Sequence, residues 1–239
     1  MSRLHLGGGE RCGVGKSVFA RLLVQYCIEH KLPANGFDTD GSHGALLRFY
    51  EVFRLPVDVG DFAQLVRLVD ALECRHGEVV VDLAAQTEAP LARWIDAGEV
   101  FSLIAELGHV AISWYVIDDG KDSTRLLERH LESLDPHCRL VCVRNFGRGR
   151  DFDGFEDAKL GDRIKSRGDF VLDLPALDPR AMHKIDRLDK SFWGAVYNTD
   201  AENGPCLSLM ERRRVRVFVA NVHDQLGRVL RQLGEVATP

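Results

Sequence analysis

The sequence lacks the features that would direct a protein into a membrane or out of the cell. None of the apolar runs in its 239 residues approaches the roughly 18 residues that a membrane-spanning helix requires. The N-terminus has no apolar core of about 7–15 residues followed by a small-residue cleavage site. We therefore expect a cytoplasmic chain with no membrane span and no secretion signal.

Metal-binding cysteine motifs and an excess of positive charge are absent as well. The six cysteines include no Cys-x-x-Cys pair, so the sequence gives no sign of a zinc or iron–sulfur site. The formal net charge is −5, so contact with a polyanion would need a local basic patch. Neither repeats nor a low-complexity linker interrupt the chain, and its length suits one large domain over residues 1–239.

Strand-like and helix-like segments alternate along the chain. Strands are predicted at residues 3–7, 34–39, 78–82, 110–117, 140–143 and 170–172. Helices are predicted at residues 16–30, 45–53, 61–75, 88–97, 99–107, 121–134 and 207–233. The continuous valines of Val79–Val81 are typical of a strand covered on both faces, as in a parallel sheet. This alternation predicts a doubly wound, mostly parallel α/β sheet with helices on both faces.

A glycine-rich loop joins the first predicted strand to the first predicted helix. Its sequence is Gly7-Gly8-Gly9-Glu10-Arg11-Cys12-Gly13-Val14-Gly15-Lys16-Ser17. Glycines allow backbone N–H groups to turn around phosphate oxygens, and the following helix adds the positive end of its dipole. We expect nucleotide contacts from Gly13, Val14, Gly15, Lys16, Ser17 and Val18. In such a loop the lysine reaches the β- and γ-phosphates and the serine hydroxyl binds Mg²⁺. The alternative is a glycine-rich turn that binds nothing.

Carboxylates follow two later strands, at the edge of the sheet where such folds bind ligands. The second strand ends in Asp38-Thr39-Asp40, and the third ends in Asp82. Asp82 resembles a Walker B aspartate, which holds the Mg²⁺ shell in phosphoryl-transfer proteins. Asp38 and Asp40 have a simpler alternative role as carboxylates that stabilise a turn or cap a helix.

The line from Arg11 to Ser17 resembles the deviant Walker A loop of the ParA/MinD ATPases, a family of P-loop proteins whose loop reads Lys-Gly-Gly-x-Gly-Lys-Ser/Thr. The chain departs from that pattern with Arg11 in place of the signature lysine and Cys12 in place of a glycine. The resemblance implies a Mg²⁺-dependent ATPase that forms a homodimer with ATP. Arg11 would then act on the phosphates of the partner subunit. The alternative for Arg11 is a solvated loop residue.

The same resemblance assigns further residues around the nucleotide. Asp40 would orient the attacking water, and Asp38 would lie near the Mg²⁺ together with Ser17 and Asp82. Asn145 would hydrogen-bond the adenine, and Pro175 would lie in a turn beside the nucleotide. A turn residue preceding Gly147 is the equally weighted alternative for Asn145.

Two further patterns bear on the biological role. Residues 42–50 resemble the TraL/MobD-type conjugal-transfer ATPases within that family. The last predicted helix carries a basic cluster of Arg212, Arg213, Arg214 and Arg216. We expect an ATP-driven dimer that positions or delivers DNA or a protein cargo, and these arginines are candidates for non-specific DNA binding. A solvated helix face is the alternative for the cluster.

Two other functions stay open from the sequence. One is a nucleotide-binding switch with little hydrolysis, which the changes at Arg11 and Cys12 suggest. The other is an ATP-dependent small-molecule enzyme of the dethiobiotin synthetase kind, for which Lys121 is the candidate second lysine.

Some residues have simpler structural interpretations in the sequence. Trp94, Trp114 and Trp193 lie in apolar stretches and are predicted to be core residues. Asp119 or Asp122 is predicted to cap the helix that begins near Lys121.

Overall fold

The computed structural model describes residues 1–40, 44–50, 55–75, 77–85, 87–199 and 205–236. Within these ranges the chain forms seven strands and eleven helices. The strands are β1 (Arg3–Gly8), β2 (Ala34–Asp38), β3 (Leu55–Pro56), β4 (Glu78–Asp82), β5 (Val110–Ile117), β6 (Cys138–Asn145) and β7 (Phe170–Leu174). The helices are α1 (Lys16–Glu29), α2 (Ala45–Phe49), α3 (Phe62–Arg75), α4 (Glu88–Ala97), α5 (Val100–Glu106), α6 (Lys121–Ser133), α7 (Asp153–Asp157), α8 (Leu160–Ser166), α9 (Pro179–Arg187), α10 (Phe192–Tyr197) and α11 (Leu209–Val236).

The seven strands form one sheet in the order β3-β2-β4-β1-β5-β6-β7. Each pair of neighbouring strands runs parallel. The order reverses direction at β1, as in a doubly wound sheet. The predicted fold class is therefore confirmed as a three-layer α/β/α arrangement with an all-parallel sheet.

Each face of the sheet has its own hydrophobic core, because successive side chains of a strand point to opposite faces. On one face, Val80 and Trp114 pack with α1, α2, α9, α10 and α11. On the other face, Val79 and Val81 pack with α3, α4 and α5, and Tyr115 packs with α6, α7 and α8. Because side chains alternate along a strand, the continuous Val79–Val81 run serves both cores.

Sequence periodicity located the long elements well and missed the short ones. The predicted strands and the helices from α3 to α6 agree with the structure to within a few residues. The two-residue strand β3 and the helices α7 to α10 were not predicted. These helices have 5 to 9 residues, too few turns to display a helical apolar period. Helix α2 ends at Phe49, and residues 51–53 of the helix predicted over 45–53 lie outside the described ranges.

The last helix packs on the sheet, as the sequence predicts. It begins at Leu209 and ends at Val236, close to the predicted range of 207–233. Val215, Val222, Leu226 and Leu230 are buried in the same core as the sheet residues. In the described part of the chain, no helix combines the length and the apolarity needed to cross a bilayer.

Three side chains, from β5, β1 and β4, are linked by hydrogen bonds inside the core. The Trp114 indole Nε1 donates to His5 Nδ1 at 3.0 Å, and His5 Nε2 lies 2.7 Å from Glu78 Oε2. His5 and Trp114 are both fully buried. An indole N–H can only donate, so His5 Nδ1 carries the lone pair and Nε2 donates its proton to Glu78. These hydrogen bonds join the central strands β1, β4 and β5.

We predict that Trp114→Phe lowers the free energy of unfolding by about 1–3 kcal/mol, because it leaves a buried acceptor on His5 without its donor. The smaller ring also leaves a cavity, which adds to the loss. Urea denaturation measures the change. Trp193→Phe is the matched control, because Trp193 is 53% exposed and its change should stay within about 0.5 kcal/mol. Equal losses in the two variants would contradict the role of the buried hydrogen bond.

Candidate functional site

The carboxyl ends of the central strands bring the predicted site residues together. Asp82 at the end of β4 is paired in register with Gly7 of β1 on one side and with Asp38 of β2 on the other. The glycine loop begins directly after β1 and ends at α1. The two strand-end carboxylates and the loop therefore share one edge of the sheet.

The loop has the backbone shape that its glycines permit. Gly9, Gly13 and Gly15 have φ angles of 135°, 79° and 102°, which L side chains rarely adopt. A Cβ on Gly15 would lie 2.3 Å from Asn145 Nδ2, whereas a Cβ on Gly13 would meet nothing within 4 Å. Gly15 is the N-cap residue of this 14-residue helix and has no side chain with which to cap it. The N-terminus of α1 faces the loop, and an anion is the ligand that a helix N-terminus favours.

The side chain of Lys16 folds back across the glycine loop. Its side chain is largely buried, at 8% exposure, and its Nζ donates to the backbone carbonyl of Arg11 at 2.9 Å. The ammonium group is therefore held across the loop, on the side of the cleft described below.

Asp82 is the most unusual titratable group of the site. Only 3% of the residue is exposed, and Ser17 donates a hydrogen bond to its carboxylate. Its Oδ1 is buried with no hydrogen-bond partner in the described part of the chain. Burial raises the pKa of Asp82 to about 7, with a further rise from Asp38 and an opposing effect of Ser17 and Lys16. A buried carboxylate oxygen beside a serine hydroxyl fits the oxygen-ligand chemistry of Mg²⁺.

The aspartates that follow β2 differ in their surroundings. Asp38 is 1% exposed, and its two carboxylate oxygens accept from the backbone N–H groups of Asp40 at 2.9 Å and Leu46 at 3.0 Å. Asp38 thus holds the turn after β2 and the first turn of α2. Asp40 is half-exposed and lines the cleft.

A cleft of about 310 Å³ lies between the loop and the strand ends. The residues that line it are Cys12, Gly13, Gly15, Lys16, Ser17, Val18, Asp38, Asp40, Asp82, Leu83, Ala84, Ala85 and Arg148. Eight of the predicted site residues are among them. The exposed Arg148 was not predicted as a site residue, although its place three residues after Asn145, beyond the end of β6, could have indicated it.

Thr39 is a second residue that sequence reasoning missed. Its hydroxyl donates to the Asp82 carbonyl at 3.1 Å and accepts from the Ala84 N–H at 2.7 Å. It joins the ends of β2 and β4 and fixes the cleft wall. The Thr87 hydroxyl, nearby in sequence, donates to the Ala84 carbonyl at 2.7 Å. Its neighbour Gln86 lies outside the described residues.

Arg11 is bound within its own subunit. Its Nη1 donates to both carboxylate oxygens of Asp118, at 2.6 and 2.8 Å. Asp118, which follows β5, also accepts from the Gly120 N–H at 3.1 Å and from the Ser123 hydroxyl at 2.5 Å. Gly120 leaves room for the guanidinium, since a Cβ there would lie 2.0 Å from Arg11 Nη1. Arg11 is 40% exposed, so the contact is open to solvent.

The β5–α6 turn also corrects a prediction. Gly120 is the N-cap residue of α6, and no side chain caps this helix. The expected cap from Asp119 or Asp122 is therefore wrong. Asp119 instead accepts from the Arg150 N–H at 2.9 Å, because the turn places it against the loop after β6.

Asn145 supports the loop from the end of β6. It is 5% exposed. Its Nδ2 donates to the Val14 carbonyl at 2.7 Å, and its Oδ1 accepts from the Gly147 N–H at 2.9 Å. The second contact is the one expected of a turn asparagine. Val14 itself is fully buried, and Pro175 directly follows β7 and is half-buried beside this turn.

The basic residues outside the cleft divide into paired and unpaired ones. Arg144 of β6 binds Asp173 and Glu156. Arg214 of α11 binds Asp178 at 2.9 Å. For Arg212, Arg213 and Arg216, the described residues offer no ion-pair partner. Of the four arginines in the predicted cluster, three therefore carry charges that the described residues do not neutralise.

Comparison with known proteins gives relatives over nearly the whole chain. A protein named MobD from Acidithiobacillus ferrooxidans is 27% identical over 229 residues, which cover 92% of this chain and 98% of that protein. Two proteins named TraL from Escherichia coli are 23% and 27% identical, each over 95% of this chain and 98% of its own length. No protein-family model matches the chain. The predicted resemblance to TraL and MobD is thus confirmed at the level of these relatives, whereas the wider ParA/MinD assignment stays a prediction.

We predict that Arg11→Ala speeds amide hydrogen exchange in residues 9–15, because the loop loses its anchor on Asp118. Gly120→Ala should do the same, since its Cβ displaces the flexible end of the Arg11 side chain rather than backbone. Both variants should change the free energy of unfolding by less than about 1 kcal/mol, because the ion pair is partly exposed.

Hydrogen exchange followed by mass spectrometry makes this measurement. Gly161→Ala is the matched control, because a Cβ at that position would meet Phe155 at an ordinary 3.5 Å. Unchanged exchange of residues 9–15 in both variants would show that the contact with Asp118 does not hold the loop.

Proposed function

We propose that this chain is a Mg²⁺-dependent, ATP-binding P-loop ATPase that acts in conjugal DNA transfer or mobilisation. The observation that carries the proposal is the buried Asp82 carboxylate. One of its oxygens is without a hydrogen-bond partner among the described residues, while Ser17 donates to the group from the start of α1. Ser17 of α1 and Asp82 of β4 therefore lie in hydrogen-bond contact. A serine and a strand-end aspartate are the residues that hold the metal in a P-loop protein.

The loop supplies the groups that would bind the triphosphate. The uncapped N-terminus of α1 presents backbone N–H groups and the positive end of the helix dipole. Lys16, held across the loop, would neutralise charge on the β- and γ-phosphates. Arg148 adds a second cation at the rim of the cleft.

Ser17 and Asp82 are the residues that would hold Mg²⁺. A Mg²⁺ ion held there would supply positive charge against the negative charge that develops on a transferred phosphoryl group. The burial of Asp82 supports this role, because attraction to a cation is stronger where water is excluded.

Asp40 is the candidate for orienting the attacking water. It lines the cleft at the carboxyl end of β2. Asp38 holds the turn after β2 through two backbone N–H groups. We therefore assign Asp38 to positioning Asp40 and place it near the metal without making it a necessary ligand.

The relatives support the biological part of the proposal. Their names, MobD and TraL, are those of the conjugal-transfer subgroup that residues 42–50 resemble. The alignment covers nearly the full length of each relative, so the likeness is not confined to the phosphate loop.

The contact between Arg11 and Asp118 favours one second candidate, a nucleotide-binding switch with slow hydrolysis. An arginine held within its own subunit is not available to a partner's phosphates until that contact opens. An ATP-driven homodimer in which Arg11 acts on the partner subunit would have to break two hydrogen bonds first. The dethiobiotin synthetase alternative has less support, because Lys16 is the lysine among the described cleft residues and Lys121 is not one of them.

We predict that Lys16→Ala weakens binding of an ATP analogue roughly 10–100-fold, because hydrogen bonds to charged groups contribute about 1.5–3 kcal/mol. Calorimetric titration with and without Mg²⁺ measures the affinity. Lys121→Ala is the matched control and should bind normally. A wild-type protein that binds no nucleotide would refute the proposal, and loss of turnover in Lys121→Ala would favour the small-molecule enzyme.

We predict that Asp40→Asn lowers ATP turnover about 10²-fold or more, as expected when a group that orients water loses its charge, while ATP affinity stays within about threefold. Phosphate release at saturating ATP measures the rate, and EDTA should abolish it. Asp122→Asn, an exposed change outside the cleft, controls for loss of charge. If Asp40→Asn hydrolyses ATP at the wild-type rate, Asp40 has no part in the reaction.

A further inference from the structure

Two aromatic side chains of α10 lie on the surface. Trp193 and Tyr197 of α10 are 53% and 50% exposed, whereas Trp94 and Trp114 are buried. The prediction that Trp193 is a core residue is therefore wrong. The four-residue spacing places both rings on one face of α10, and an exposed pair of large aromatic rings is typical of a binding surface.

These rings lie against each other, and an arginine of α11 lies over one of them. The ring centroids of Trp193 and Tyr197 are 5.2 Å apart with an interplanar angle of 37°. The Arg216 guanidinium of α11 lies 5.5 Å from the centroid of the Tyr197 ring. We call Trp193, Tyr197, Arg213 and Arg216 the aromatic–arginine surface.

The positive charges of this surface are not neutralised by the described residues. Arg213 and Arg216 are exposed, lie three residues apart on α11, and form no ion pair within the described ranges. Three other cations, on α9 and α11, are paired. Arg214 binds Asp178, Lys184 binds Glu211, and Arg228 binds Asp224. A chain of net charge −5 thus keeps a local basic patch beside two exposed rings.

We propose that the aromatic–arginine surface binds single-stranded nucleic acid. Bases would stack on Trp193 and Tyr197, and the two arginines would contact phosphates, which is the usual combination in sequence-tolerant single-strand binding. Duplex DNA keeps its base faces inside the helix and cannot use the rings. The exposed rings therefore favour a single strand, and the unpaired arginines favour a polyanion over a neutral protein surface.

This site is separate from the nucleotide cleft, because none of its four residues lines that cleft. The proposal goes beyond the nucleotide-dependent function and does not require it. Lys16→Ala should therefore keep its affinity for a single strand even if it loses ATP.

Fluorescence anisotropy of a labelled 20-nucleotide oligo-dT, titrated with the full chain, tests the proposal. We expect saturable binding that is at least about tenfold tighter than for a duplex of the same length. The double variant Trp193→Ala/Tyr197→Ala should weaken binding about tenfold or more. Arg213→Ala/Arg216→Ala should weaken it and reduce the slope of log affinity against log salt by about 1.4.

Two paired arginines on the same helix provide matched controls. Arg214→Ala and Arg228→Ala remove the same charge from α11 but take it from existing ion pairs, so each should reduce affinity by less than about threefold. Trp193→Phe keeps an aromatic ring and should bind nearly as well as the wild type. Circular dichroism confirms that each variant is folded, as expected for changes at exposed positions.

Tryptophan fluorescence gives a second readout of the same contact. Trp193 is the exposed tryptophan of the three, so stacking of a base should quench its emission, and the quenching should disappear in Trp193→Phe. Equal affinity for single strand and duplex would overturn the proposal. Unchanged single-strand affinity in Trp193→Ala/Tyr197→Ala, or binding of a protein partner at this surface with no oligonucleotide affinity, would also overturn it.

Discussion

The burial of the Asp82 carboxylate is the constraint on which the candidate site depends. It lies at the end of β4, between β1 and β2, and opposite Asp38 in the strand register. A buried carboxylate costs free energy unless it is paired, and a second carboxylate nearby increases that cost. The fold offsets it with Ser17 and Lys16 at the start of α1. The same water exclusion that makes Asp82 costly strengthens its electrostatic interactions with neighbouring charges.

The phosphate loop owes its shape to the strand ends that surround it. Arg11 joins the loop to Asp118 after β5, and Asn145 at the end of β6 supports the Val14 carbonyl. These two contacts hold the loop at Arg11 and at Val14. A loop already held in shape loses less conformational entropy when it binds a ligand.

Local patterns in the sequence predict the sheet and the central site, because each depends on neighbouring residues. Continuous valines mark β4, and the glycine loop between a strand and a helix marks the site at Lys16 and Ser17. The contact of Arg11 could not be predicted, since its partner Asp118 is 107 residues away. Trp193 was misjudged because an apolar stretch does not reveal which face of a six-residue helix is covered. Arg144 and Arg214 resemble open charges in the sequence, and only tertiary pairing neutralises them.

The central position of β1 has a consequence for how the protein forms on the ribosome. The first strand of the chain pairs with β4 and β5, which contain residues 78–82 and 110–117. Neither partner exists when β1 emerges, and parallel strands pair only across long connections. The glycine loop thus stays without its sheet until about half of the chain has been synthesised. Contacts so distant in sequence make folding slow and expose unpaired strand edges for a time, so the loop reaches its folded shape only after β5 has been synthesised.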